Sequence, residues 1–398
     1  MNQLLLLLFL IFSQMVAAQG KLRGKVVDKE NSRPLAGASI FLNNTSIGTT
    51  SNEAGLFELN IPAGKYDLVI SSIGFETRNL VIESMDIPSF LEIKLTVKAP
   101  EMETVVITSY EKDGWEKYGQ FFTDQFIGMC SEAGQCKILN KEVLRFRYDK
   151  KANTLFVSAL QPLQIENRAL GYTLIYDLVQ FEYKYHARYL VFTGFPFFIK
   201  MEGSESQEKK WKNKREDVFE GSLLHFMRAL FRNQLEKEGF IVRRLVKEVN
   251  EEFQRVNKVM VSGFAKDRLF MRYLPKDTAA YFEKVMEQPR IREHLGKEMI
   301  WGDSIAFMVD RQTVGFEFDH FLHIYYKNKK PQSAYFKLFP RAASQIVSEL
   351  TITGPTHIEL KSNGMYFNST DLLILGYWAW SEKIAAMLPF DYQPPQRN

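Results

Sequence analysis

From residue 22 to residue 98, turn-forming residues return about every eight to twelve positions, as at Arg33-Pro34, Asn43-Asn44, Glu53-Ala54-Gly55 and Pro62-Ala63-Gly64. Between them lie short runs in which apolar and polar residues alternate, such as Tyr66, Leu68 and Ile70 on one face of one run. A period of two suits a strand and not a helix. Strands this short cannot each bury an apolar face alone, so they must pair into sheets that stack on one another. The runs at 25–28, 38–42, 47–50, 56–59, 66–71, 79–82 and 91–97 predict a seven-stranded β-sandwich.

The motifs that carry this pattern also carry a resemblance. Gly24-Lys25-Val26-Val27-Asp28, Pro34-Leu35-Ala36-Gly37-Ala38, Gly55-Leu56-Phe57, Gly64-Lys65-Tyr66 and Ser72-Ile73-Gly74-Phe75 follow one another in order. Together they resemble the carboxypeptidase regulatory-like domain, which implies a transthyretin-like sandwich. That domain is the non-catalytic accessory part of metallocarboxypeptidases, and it also precedes many outer-membrane receptors and surface proteins. The likeness therefore implies a fold and no peptidase activity. Next, Glu101-Met102-Glu103-Thr104-Val105-Val106-Ile107-Thr108 resembles the TonB box of TonB-dependent receptors, an extended strip read by strand addition. The same residues also read as a simple linker strand. The remainder of the chain is too short for a receptor barrel and lacks its repeated alternating segments.

Ahead of the sandwich, residues 4–12 form nine unbroken apolar positions. A membrane span needs about 20 residues, so the run fits the core of a secretory signal. Val16-Ala17-Ala18 supplies small residues for cleavage between Ala18 and Gln19. No Lys or Arg precedes the run, which departs from the usual signal. The expected product is exported to the periplasm, outer membrane or exterior, with peripheral membrane association at most. The expected organisation is a signal at 1–18, the sandwich at 19–99, a linker at 100–112 and a larger region at 113–398.

That larger region mixes patterns. Residues 142–148, 154–160, 172–179, 189–195, 241–246, 259–262, 314–326, 334–339, 346–353 and 365–368 read as strands. Residues 113–126, 207–238, 278–296 and 378–388 read as helical. Leu223, Phe226, Met227 and Leu230 form a stripe at helical spacing, with Ser222 as N-cap and Gly239 as stop. The expected class is α+β, mainly antiparallel. Residues 163–172, 220–226 and 376–380 resemble segments of a family of secreted bacterial envelope proteins with the same N-terminal module. That likeness implies no mechanism.

Chemistry is sparse. The six histidines are scattered, with neither His-Glu-x-x-His nor His-x-x-Glu, so zinc peptidase chemistry lacks its ligands. His320 is expected on an apolar strand face with Phe316, Phe318, Leu322 and Ile324. Ser109-x-x-Lys112 lacks companion motifs. Ser222 and His225 are the best-placed polar pair, and they read either as a cap with its third helical residue or as part of a site. Cys130 and Cys136 are close enough in sequence for a local disulfide, which would contribute roughly 2 kcal/mol, or they stand as separate thiols. Trp378, Trp380 and Tyr377 read as an inward-packing helix face before a sugar platform. A net charge of +4 with interleaved acids gives no nucleic-acid footprint. No cofactor is expected. The reading is an envelope protein with an interaction or structural role, partnered by another envelope protein, with a TonB-type contact through residues 101–108 as one route. A hydrolase of unfamiliar type, acting on peptide or glycan, is the alternative.

Overall fold

The computed structural model describes residues 20–98, 110–354, 357–367 and 369–395. The signal with its Ala18–Gln19 junction and the strip from Glu101 to Thr108 lie outside the described residues.

The sandwich forms as its alternation requires. Its strands are β1 (Gly20–Asp28), β2 (Ser39–Leu42), β3 (Gly48–Thr50), β4 (Leu56–Ile61), β5 (Lys65–Ser71), β6 (Arg78–Glu83) and β7 (Leu91–Leu95). One sheet runs β4-β1-β7 and the other β3-β2-β5-β6. In β4, Phe57, Leu59 and Ile61 are buried and their neighbours exposed. They close a core with Leu22, Val26, Ile40, Leu68 and Ile93. Met365, far along the chain, completes that core, and Phe367 and Phe390 pack against it.

The larger region begins with α1 (Gly114–Phe126) on a sheet of β8 (Cys136–Ile138), β9 (Leu144–Asp149), β10 (Thr154–Ala159), β11 (Leu163–Asn167), β12 (Tyr172–Lys184) and β13 (Tyr189–Lys200). In β12, Tyr172, Leu174, Tyr176 and Leu178 point inward, and then the register shifts between Leu178 and Gln180. The extra residue resets the alternation, so Phe181 is the next to face the core. Two helices follow, α2 (Glu205–Phe219) and α3 (Leu223–Phe231), and then β14 (Phe240–Val249). A helical arm, α4 (Glu251–Lys266) and α5 (Lys276–Met286), interrupts the hairpin that joins β14 to β15 (Ile291–Met299). The rest is β16 (Ala306–Asp310), β17 (Thr313–Phe316), β18 (Phe321–Tyr326), α6 (Ser333–Leu338), β19 (Ile346–Ile352), β20 (Ile358–Lys361), β21 (Leu372–Gly376) and α7 (Tyr377–Ser381). One sheet has the order β15-β14-β18-β19-β21, a smaller one β16-β17-β20. The pairings of the larger region are antiparallel.

Several elements differ from expectation. Residues 259–262 belong to helix α4, because Asn250 caps it and Phe253, Val256 and Met260 recur at helical spacing. Residues 334–339 coincide with helix α6, which packs Tyr335 against Tyr377 and Trp380. Of the strand expected over 365–368, the described residues 365–367 show a bridge from Tyr366 to Leu360, and residue 368 lies outside the described residues. The helix expected over 207–238 breaks at Gly221, whose φ is +74°. Helix α5 ends at Met286, so the second half of 278–296 is strand β15. The strand expected over 314–326 is two strands, with His320 at φ +64° in the turn between them. His320 is therefore exposed and leaves the apolar face assigned to it.

Candidate functional site

The expected polar pair at Ser222 and His225 is real in position and structural in chemistry. Ser222 caps α3, its Oγ accepting from the His225 backbone N–H at 3.0 Å. The imidazole points elsewhere. Its Nδ1 accepts from the Gly221 N–H at 3.1 Å, and its Nε2 meets Glu238 Oε2 at 3.3 Å. The ring is buried among Phe219, Phe240 and Tyr326. Burial lowers its pKa, with Glu238 opposing. Neither ring nitrogen has a hydroxyl or thiol partner among these contacts, so the pair does not activate a nucleophile. A side chain at Gly221 would meet the Tyr326 ring at 2.5 Å, and the Gly221 carbonyl accepts from Trp378 Nε1 at 2.7 Å. Glycine at 221 is what lets α3 start against the closing tryptophan.

Cys130 and Cys136 are free thiols, not the disulfide that their spacing allowed. Cys136 is held in the β8 ladder opposite Asn167, and Cys130 lies in the turn before it. Between them Glu132 is fully buried, 2.6 Å from Lys214 Nζ and 3.0 Å from Gln332 Nε2. Burial would raise the Glu132 pKa, but hydrogen bonds from Lys214, Gln332 and Ser131 outweigh it and hold it at about 2. Burial and the nearby carboxylate push both thiols up to about 12. Protonated thiols are poor nucleophiles and poor metal ligands. Among the described residues no group of three or more His, Cys, Asp or Glu is arranged to hold a metal ion.

The feature that best fits a site was missed in sequence. A cavity of about 500 Å³ opens between the β12–β13 hairpin, β21, the start of α3 and the chain after α7. Ser222, Tyr366, Glu382 and Lys383 contribute polar groups to its wall. Glu382 Oε1 accepts from the Leu223 N–H at 3.1 Å, at the positive end of α3. Burial nevertheless raises its pKa to about 7, with the Leu223 bond and the Lys329 charge opposing. Burial lowers Lys383 to about 8, and its Nζ lies 5.2 Å over the Phe192 ring. Both side chains keep some accessible area although they sit deep in the protein, as expected of groups facing a cavity. Tyr366 is raised by burial, then by Glu382. Glu382 and Lys383 are ordinary surface residues by type, and nothing in their spacing marks them. The nearest sequence signal is the aromatic run Tyr377 to Trp380, whose rings are buried as expected and anchor the segment that carries them.

Residues 22–107 match the family model described as CarboxypepD_reg-like domain, so the N-terminal sandwich is a carboxypeptidase regulatory-like domain. No curated protein matches the chain. Among solved structures, a chain of a type II cohesin-X-dockerin complex from Acetivibrio cellulolyticus is 20% identical, over 20% of this chain and 58% of that one, with a TM-score of 0.17. The chain thus spans under two thirds of that structure. A DUF3823 family protein from Bacteroides ovatus is 10% identical over 46% of this chain and 82% of its own, with a TM-score of 0.17. Another from Parabacteroides merdae is 12% identical over 48% and 85%, at the same score. Similarity at this level carries no functional argument.

Proposed function

We propose that the protein is exported to the cell envelope and acts by binding, with the sandwich as a brace and the larger α+β region as the specific part. The seam between the two supports this reading. The Asn44 N–H donates to the Pro196 carbonyl at 2.8 Å, and the Phe198 N–H to the Thr45 carbonyl at 3.0 Å. Phe41 packs on Phe197 with centroids 5.0 Å apart. Ser46 donates to Asp391 through both N–H and hydroxyl, and Thr77 donates to Asp177. Met365 reaches into the sandwich core. A module fixed by hydrogen bonds and shared apolar packing supports its neighbour and does not swing as a separate unit. No helix among the described residues is long and apolar enough to cross a membrane.

Three measurements test the proposal. Calorimetry of the chain from Gln19 should give one cooperative transition, and a chain starting at Tyr110 should lose it. Two independent transitions would overturn the brace. Fractionation of the source cells should find the chain in the envelope fraction, starting at Gln19. Affinity capture there, with residues 19–99 as control, should retain an envelope partner only with the full chain. Cytoplasmic retention would overturn export, and a partner held equally by the control would move specificity to the sandwich.

A further inference from the structure

We infer that the cavity beside α7 is a binding site for a small aliphatic monocarboxylate, with Lys383 as the partner of its carboxylate. Four observations lead there, independently of the envelope partner proposed above.

The first is size. About 500 Å³ lies within the range of small-molecule sites, roughly 300–1,000 Å³. The second is the wall. Leu190, Phe192, Leu224, Ile374 and Met387 pack against the main core, yet each keeps exposed area, and each lines this cavity. Apolar side chains left half-covered around one hollow gain from an apolar occupant.

The third is charge. Lys214, Lys247 and Lys329 each hold a carboxylate within ion-pair distance. Lys383 has no such ion pair among the described residues, only the face of Phe192. A desolvated, unpaired ammonium is costly, and an incoming anion removes that cost. Arg188, exposed at the turn of the β12–β13 hairpin, adds positive charge to the same wall.

The fourth is what limits the anion. Glu382 is the one acidic residue of the wall among the described residues, and one of its oxygens already accepts from Leu223. Its raised pKa, about 7, leaves it partly protonated near neutrality, so it places little negative charge on the wall. A dianion would meet repulsion there as Glu382 ionises. A single carboxylate suits the one unpaired ammonium, and the apolar wall suits an alkyl chain.

The test uses the full mature chain from Gln19 and decanoate as probe, with decanol as its uncharged counterpart, by titration calorimetry. Decanoate should bind saturably at one site, and decanol at least about tenfold more weakly, because the charge-assisted contact is absent. Lys383→Met should weaken decanoate by at least about tenfold and leave decanol nearly unchanged. Leu224→Trp, which fills the hollow, should abolish both. Equal affinity for acid and alcohol would overturn the inference, and that comparison needs no variant. Unchanged decanoate binding by a folded Lys383→Met chain, or no saturable binding of decanoate, would also overturn it.

Discussion

Glu382 shows how one side chain can set a pH response. Its pKa is about 7 in the folded chain against an ordinary 4.5, because burial disfavours the charged form. Folding therefore takes up a proton between those values. Stability falls as pH rises through that window, and the loss persists above it. Glu382→Gln keeps an acceptor for the Leu223 N–H and carries no charge. It should be about 1–3 kcal/mol more stable than the parent above pH 7 and equal to it near pH 4.5. Thermal unfolding at the two pH values checks this, and equal destabilisation at both would mean that folding leaves the carboxyl pKa unshifted. The cysteines give a second residue-scale expectation. Thiols raised to about 12 carry little thiolate at pH 8. A disulfide-exchange reagent should label neither in the folded chain and both after denaturation; rapid labelling without denaturant would contradict the raised thiol pKa values. Legibility at this scale was uneven. Ser222 was readable as a cap because caps are local. Glu382 and Lys383 were not, because their altered chemistry comes from neighbours supplied by β13 and α3.

Among the elements, α4 and α5 stand apart. Phe253, Val256, Phe282 and Val285 form their own small core, separate from the main one. The arm occupies the tip of the hairpin where Val249 pairs with Ile291. Replacing residues 250–290 with Asn-Gly should preserve the β14–β15 register, since that dipeptide suits a two-residue hairpin. The melting temperature of the main body should shift by no more than about 2 °C, the effect of roughly 1 kcal/mol in a chain of this size. Loss of the main transition would show that the arm is integral. Element errors also have local causes. Val259 and Val261 favour a strand by propensity, but a capped helix with an apolar stripe overrides them. In the sandwich no such conflict arises, because alternation and turn residues agree at each strand.

For the molecule as a whole, buried ionic links join distant stretches as the sandwich seam does. Glu132 binds Lys214 on α2 and Gln332 ahead of α6. Its depressed pKa, about 2, means that its contribution is present above pH 4.5 and is lost as pH falls towards 2. Lys214→Met should cost about 2–3 kcal/mol at neutral pH, at the low end for a broken buried pair because Gln332 and Ser131 remain. Urea unfolding measures it, and adding Glu132→Gln should recover part of the loss; no recovery would assign the cost to packing. The sequence by itself determined the sandwich, its strands and the α+β class of the larger region, because period-two alternation, turn residues and caps act over a few residues. Only the tertiary structure decided that the thiols stay apart, that His225 is a core residue, and that Glu382 and Lys383 share a cavity. Each of these depends on desolvation and contact between segments far apart in the chain, and local pattern carries no record of that.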